Sequence, residues 1–322
     1  MNAVITGAAV SISGLSEVAG LLPAGAVAID PGTGRTSAFR DRASDLALSA
    51  VGPALAAAGL DGERTGLPVA TVVSTSYGAL EQACLALDTI TRSSTRALSP
   101  RLVHAMSSHV IGTWVSIEYG FRGPCLTLCD GPTSGLDAVH WARNMIAAAR
   151  AEVVVVIGVE PRTDPVLRLL GQEGHEQAVL DGAAAIVLEA ESHAVARGAR
   201  PRAVFEAYCR AAQLAAALPQ GPRPVDWWFA PEPTEPGDIT IPAAPAALAG
   251  ARRIDLASGL GRCSSALGVI QVALASALVE KDRPSAALAV CGGKQDIAVA
   301  VVSSVAGQAD SSGTSVSRSP TA

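Results

Sequence analysis

The 322-residue chain predicts an α/β fold. Three observations carry that expectation. Short runs of β-branched and small apolar residues alternate with longer segments of helical periodicity. The run Glu152–Val159 is nearly all valine and isoleucine, as a strand buried on both faces requires. Aromatic residues are only 3% of the chain against 49% apolar, so alanine, valine, leucine and glycine must build the core. Small side chains of that kind suit helices packed closely on a largely parallel sheet.

The elements follow in order. Ala3–Ser11 reads as a strand, and Arg42–Ala58 as a helix with one apolar stripe and Gly59 as its stop. Val69–Ser74 is a strand running into a Ser/Thr/Gly turn, and Ala79–Ile90 a second helix. Ser99-Pro100 opens an irregular stretch before a helix over Ser108–Tyr119. Cys125–Cys129 is a short strand, and a helix over Thr133–Ala149 begins just after Pro132. Ala183–Glu189 is another buried strand. Leu218–Pro245 is rich in proline and reads as loop with one short strand near Trp227–Phe229, whose aromatic rings anchor it. Alternation resumes with strand Ile254–Ala257, helix Ser264–Glu280 and strands Ala286–Val290 and Asp296–Ser303. Residues 306–322 are Ser, Gly and Thr without periodicity and read as a disordered tail.

Composition excludes several classes. The net charge is −5 with no basic block, so nucleic acid is not an expected partner. No apolar stretch reads as long enough to cross a bilayer, so no membrane role is expected. The chain opens directly on a strand, without a charged and then apolar leader, and a cytoplasmic location is expected. The six cysteines form no CxxC pair and no cluster with histidine, so no metal site is expected. They read as reduced, mostly buried thiols.

The most informative run is Gly123–Asp137, GPCLTLCDGPTSGLD. It resembles the nucleophile segment of the β-ketoacyl synthases of the thiolase superfamily, where a strand and tight turn lead to a helix headed by a reactive cysteine. The flanks match, but the cysteine position is Pro132. Other pieces in the same order strengthen the resemblance: Asp41–Asp61, Ser74–Gly78, Tyr119–Pro124, Val156–Glu160 and Leu180–Pro201. The resemblance implies a thiolase-like fold, with two similar α/β halves packed as a five-layer αβαβα sandwich. It divides the chain into residues 1–190 and a shortened second half, 191–305, containing the proline-rich loop 218–245.

Against that family the catalytic positions are degenerate. Pro132 stands for the cysteine, Ala230 for the first histidine, Arg262 for the second, Ala257 for the lysine and Cys291 for the gating phenylalanine. A thiolate at a helix N-terminus attacks an acyl thioester, and the histidines donate to its carbonyl. Proline has neither a nucleophile nor a backbone N–H, though it suits a helix start. No catalytic residue is therefore assigned.

The resemblance is then to the chain-length factor, the ketosynthase β subunit of type II polyketide systems. It implies a heterodimer with a catalytic ketosynthase and acyl chains arriving on a phosphopantetheinyl acyl carrier protein, with no cofactor held by this chain. The proline points to a divergent group of the polyene-making kind. His104, Met106, His109, Cys125, Thr127, Cys129, His140 and Trp141 are the expected tunnel or interface residues. The alternative is an acyl carrier protein-dependent acyltransferase, decarboxylase or hydrolase using another nucleophile. Cys129 is the nearest thiol, expected at the end of a buried strand. Cys263 adjoins Arg262, whose charge would favour a thiolate.

Overall fold

A computed structural model of the chain describes residues 2–32, 40–60, 68–171, 179–218, 224–233, 248–281, 285–293 and 296–305. The strands are β1 (Ala3–Ile12), β2 (Ala28–Ile29), β3 (Ala70–Ser74), β4 (Cys125–Leu128), β5 (Val153–Glu160), β6 (Gly182–Ala190), β7 (Ala203–Ala211), β8 (Trp227–Phe229), β9 (Arg252–Ile254), β10 (Ala286–Gly293) and β11 (Asp296–Ser303). The helices are α1 (Leu15–Val18), α2 (Arg42–Ala58), α3 (Leu80–Arg92), α4 (Pro100–Ala105), α5 (Val110–Tyr119), α6 (Ser134–Ala147), α7 (Asp164–Leu169), α8 (Glu191–Ala196), α9 (Leu214–Ala217), α10 (Ala257–Leu260) and α11 (Leu267–Lys281). The expected tail, residues 306–322, and parts of the proline-rich loop lie outside the described residues.

The strands pair in the order β4-β3-β5-β6-β1-β7-β11-β10-β8-β9, with β2 attached to β1. In the first five, β3 runs parallel to β4 and β5, and β6 antiparallel to β5 and β1. In the second five, β8 runs parallel to β9 and β10, and β11 antiparallel to β10 and β7. One set is the other reversed. They meet where Val4 pairs with Val204 and Ile5 with Ala203. The internal repeat, invisible as residue identity, is explicit in the topology.

Side-chain alternation builds the layers. Val154 and Val156 of β5 face an inner core with α6 and α11, which also holds Phe205, Ala289 and Ala300 of the second set. Val153, Val155, Ile157 and Val159 face outward onto α2 and α5. Trp228, Leu288, Val290 and Val299 form the outer core of the second set with Leu214 of α9. The order is therefore helix, sheet, paired helices, sheet, helix. This is the thiolase-like five-layer arrangement, and it explains the valine runs: each strand of that kind has two apolar faces to cover.

Local signals set several boundaries. The Asp41 carboxylate accepts the Ser44 N–H at 2.8 Å to cap α2, and Gly59 ends it at φ 68°. Ser99 caps α4 with Pro100 in its first turn, so the stretch expected to be irregular is a helix. The strand expected over Ile254–Ala257 is instead β9 over Arg252–Ile254, followed by α10. Strand β7 was not anticipated from the sequence. One further expectation is corrected. The segment Ser264–Lys281 is long and apolar enough to cross a bilayer, with mean hydropathy 1.2 over 18 residues, yet 83% of it is buried inside the protein. It is apolar all round because both sheets pack on it.

The two middle helices approach at glycine. A Cβ on Gly135 would lie 2.8 Å from the Gly268 amide nitrogen and the Ser265 carbonyl oxygen, and one on Gly268 would lie 2.5 Å from the Leu136 nitrogen. Gly268→Ala is expected to lower stability by about 1–3 kcal/mol through overpacking. Thermal unfolding checks this. Gly20→Ala, whose Cβ meets nothing within 4 Å, should leave Tm unchanged.

Candidate functional site

The site lies where β3, β4 and β5 end against the start of α11. After β4 the chain turns through Gly131 at φ 89°, and the Ser134 N–H donates to the Gly131 carbonyl at 3.1 Å. Pro132 occupies the second position of that turn, ahead of the cap residue Thr133. It therefore sets the approach to α6, just ahead of the helix start. There it offers no nucleophile and no N–H to an incoming carbonyl.

Two buried acids fix the facing loop. Glu160, at the end of β5, accepts the Ser76 N–H at 2.7 Å, the Tyr77 N–H at 3.1 Å and the Ser265 N–H at 3.2 Å. Glu232, after β8, accepts the Cys263 N–H at 2.6 Å and the Ser264 N–H at 2.8 Å. These contacts hold Ser264 in the left-handed region at φ 46°. The loop is then sewn to the turn. The Ser265 hydroxyl donates to the Gly131 carbonyl at 3.0 Å and sits 2.5 Å from the Ser76 hydroxyl. The Ser74 hydroxyl donates to the Ser265 carbonyl at 2.8 Å.

Arg262 leads into this loop. Its carbonyl accepts the Leu180 N–H at 3.0 Å, while its Nε is buried with no partner among the described residues. Ala230 is buried and offers only backbone groups. Its N–H donates to Ile254 at 2.8 Å, and its carbonyl accepts the Gln271 amide at 3.0 Å. The neighbouring Pro231 adds no donor. The same Gln271 amide reaches the Val290 carbonyl at 2.9 Å, and the Cys291 thiol donates to the Gln271 Oε1 at 3.5 Å. The fold thus brings Pro132 to the Arg262 loop, and Ala230 to Cys291 through Gln271. Ala257 opens α10, and its methyl side chain offers no donor or acceptor. Gln271, Glu232 and the role of Glu160 were missed in the sequence. Their partners are backbone groups brought close only by folding.

The thiols depart from expectation. Only Cys263 and Cys291 are buried; Cys125, Cys129 and Cys209 are exposed and Cys84 is partly so. Burial pushes the Cys263 thiol well above its ordinary range, with Glu232 adding to it. The nearby guanidinium does not make it a thiolate. Cys129 is exposed because β4 is a sheet edge, and its thiol lies 3.7 Å from the Ser108 hydroxyl.

The expected tunnel or interface residues are spread over β4, α4, α5 and α6. Cys125 and Thr127 are on β4, with the Thr127 hydroxyl buried and unpaired among the described residues. His104 and Met106 end α4, and His109 stands at the N-terminal cap position of α5 without a side-chain cap bond, its Nδ1 2.5 Å from the Ser107 hydroxyl. Trp141 on α6 is 49% exposed. His140 stacks on Tyr208 at 4.2 Å, and burial holds its pKa down. Tyr208 donates to Asp137, which also pairs with Arg210 at 3.2 Å. Among the described residues no group of acids, histidines and cysteines could hold a metal.

Burial pushes Glu160 up to about 8, outweighing the backbone amides that favour its charge, and burial also raises Glu232. A carboxyl raised in the folded state binds its proton more tightly there than in the unfolded chain. Its contribution to stability is therefore complete at acid pH and is lost as pH rises through about 8. Urea unfolding across pH 4–9 should show stability falling toward alkali. Glu160→Gln, neutral throughout, should flatten part of that fall; an unchanged slope would mean the carboxyl is ionised across the range.

Comparisons with known proteins place this geometry. The family model described as "Beta-ketoacyl synthase, N-terminal domain" matches residues 12–175, half of the chain. "Putative polyketide beta-ketoacyl synthase 1" of Streptomyces cyaneus is 30% identical over 125 residues, 32% of this chain and 30% of that protein. The 3-oxoacyl-[acyl-carrier-protein] synthase 2 of Vibrio harveyi is 28% identical over 160 residues, 43% of this chain and 38% of that protein. The matches thus span about a third of those relatives' length. Among solved structures, the ishigamide ketosynthase/chain length factor superposes with TM-score 0.71 at 17% identity, covering 95% of this chain and 99% of that one. A type II polyketide synthase acyl-carrier protein in complex with its ketosynthase bound to the hexaketide gives TM-score 0.70 at 17% identity, covering 94% and 99%. With the repeated half-sheets and the matched turn, these findings make the chain a member of the β-ketoacyl synthase family.

Proposed function

We propose that this chain is a non-catalytic subunit of the chain-length-factor kind. It pairs with a catalytic ketosynthase and shapes the tunnel that receives acyl chains carried on a phosphopantetheinyl acyl carrier protein. One observation carries the reading: a preserved strand–turn–helix holds Pro132 where the chemistry needs a thiol and a backbone donor. Ala230, Ala257 and Arg262 remove the supporting acid–base groups, since a guanidinium stays protonated near neutral pH.

The two sheet edges support the pairing. β9 is three residues long and carries the exposed cations Arg252 and Arg253. Charges on a short edge discourage strand addition. β4 is uncharged Cys-Leu-Thr-Leu and packs between α5 and α6, which carry the exposed Ile117 and Trp141. An open, uncharged edge with apolar neighbours suits a protein partner. A second reading rests on the exposed Cys129, three residues before Pro132, as an alternative acyl acceptor.

Co-expression with a catalytic ketosynthase, purification through a tag on this chain alone and intact mass after incubation with malonyl-carrier protein test the proposal. The expected result is a one-to-one complex with acyl mass only on the ketosynthase. Acyl mass on this chain, lost in Cys129→Ala, would favour the second reading and sink the first. Pro132→Cys should still not elongate, because a thiol alone restores neither the donors nor the acid–base groups. Turnover of a carrier-bound substrate by that variant in isolation would contradict the reading.

A further inference from the structure

A further cavity is lined by no residue of the Pro132 turn. It is an open cleft of about 1110 Å³ between α3, α7, the end of β1 and α10. Ile12, Val179, Leu180 and Leu260, all buried, form an apolar floor. Leu85 and Leu87 line the α3 side while 52% and 62% exposed. That is apolar surface left facing water at a concave site, where ligands rather than bulk solvent are usual.

The polar groups of the cleft are mostly neutralised. Arg42 pairs with Asp181 at 2.6 Å, and Asp88 with Arg92 at 3.6 Å. Glu81 and Arg168 each have a partner. Asp164 lies in the first turn of α7, where free amides offset its charge. Two groups remain. Arg162 is exposed on the rim, and no described residue pairs with its guanidinium. Thr163 stands at the cap position of α7 yet makes no cap bond; its hydroxyl is buried and has no partner among the described residues. A threonine there ordinarily caps the helix, and a buried hydroxyl without a partner is uncommon.

We propose that this cleft is a second binding site, for an amphiphile with an alkyl chain and a carboxylate head. The chain covers the leucine floor and wall. The head meets the forked guanidinium of Arg162, which matches a carboxylate with two parallel hydrogen bonds, and the Thr163 hydroxyl. A single open cation suits one negative charge better than a phosphate. The site stands independently of the chain-length-factor reading, because it uses no residue of the Pro132 turn or the β4 edge.

Cys84 lines the cleft and is partly exposed, so it reports occupancy directly. The test is site-resolved mass spectrometry of N-ethylmaleimide modification, with and without dodecanoate below its micellar range. Dodecanoate should slow modification of Cys84 severalfold and leave Cys129 and Cys209 unchanged. Arg162→Gln, an exposed substitution expected to keep the wild-type Tm, should abolish the protection. Absent protection, protection that survives Arg162→Gln, or equal protection by dodecylamine would each overturn the assignment.

Discussion

The structure depends on the glycine contact between α6 and α11. Gly135 and Gly268 let the two middle helices touch backbone to backbone, with Ser265 at the same crossing. These helices fill the space between the two half-sheets, and their apolar surfaces make the inner core. Side chains at either glycine would push the halves apart. The contact also decides the site, because each helix begins beside it: α6 from the Pro132 turn and α11 from the Arg262 loop. Close packing of the core and juxtaposition of the two loops are one geometric fact.

Contacts to backbone groups alone can hold this turn and the loop that faces it. Glu160 and Glu232 hold the loop before α11 through backbone amides, not through catalytic side chains. The Ser265 hydroxyl then ties that loop to the Gly131 carbonyl. Interactions of this type ask nothing of residues 132, 230, 257 or 262, so those positions are free to change while the turn keeps its shape. Pro132 fits because its fixed φ suits a turn leading to a helix. The two buried thiols near the site pack and bond rather than react.

The sheet treats its two ends differently. Arginines close one edge, while the other is an uncharged strand between two helices. Two of the three most exposed thiol-bearing positions, Cys125 and Cys129, belong to that open edge. Their exposure follows from topology: a strand at the end of the order has one neighbour, and its residues are covered only if a partner covers them.

The sequence by itself determined the type of the long elements, though not of α4, β7 or α10, together with the turn that holds Pro132 and the side chains that stand at positions 230, 257 and 262. These are local properties, set by periodicity, glycine and proline chemistry and residue identity. Capping of α2 by Asp41 and its stop at Gly59 belong to the same class. Only the tertiary structure decided the mirrored strand order, the strand β7 that joins the halves, the burial of the apolar helix over Ser264–Lys281 and the exposure of Cys129. It alone also paired Glu232 with the loop 31 residues later and Glu160 with Ser265, 105 residues away. A residue's burial and the partners of its polar atoms depend on what folding brings alongside, and the alternation of valine or the identity of a glutamate does not encode that neighbour.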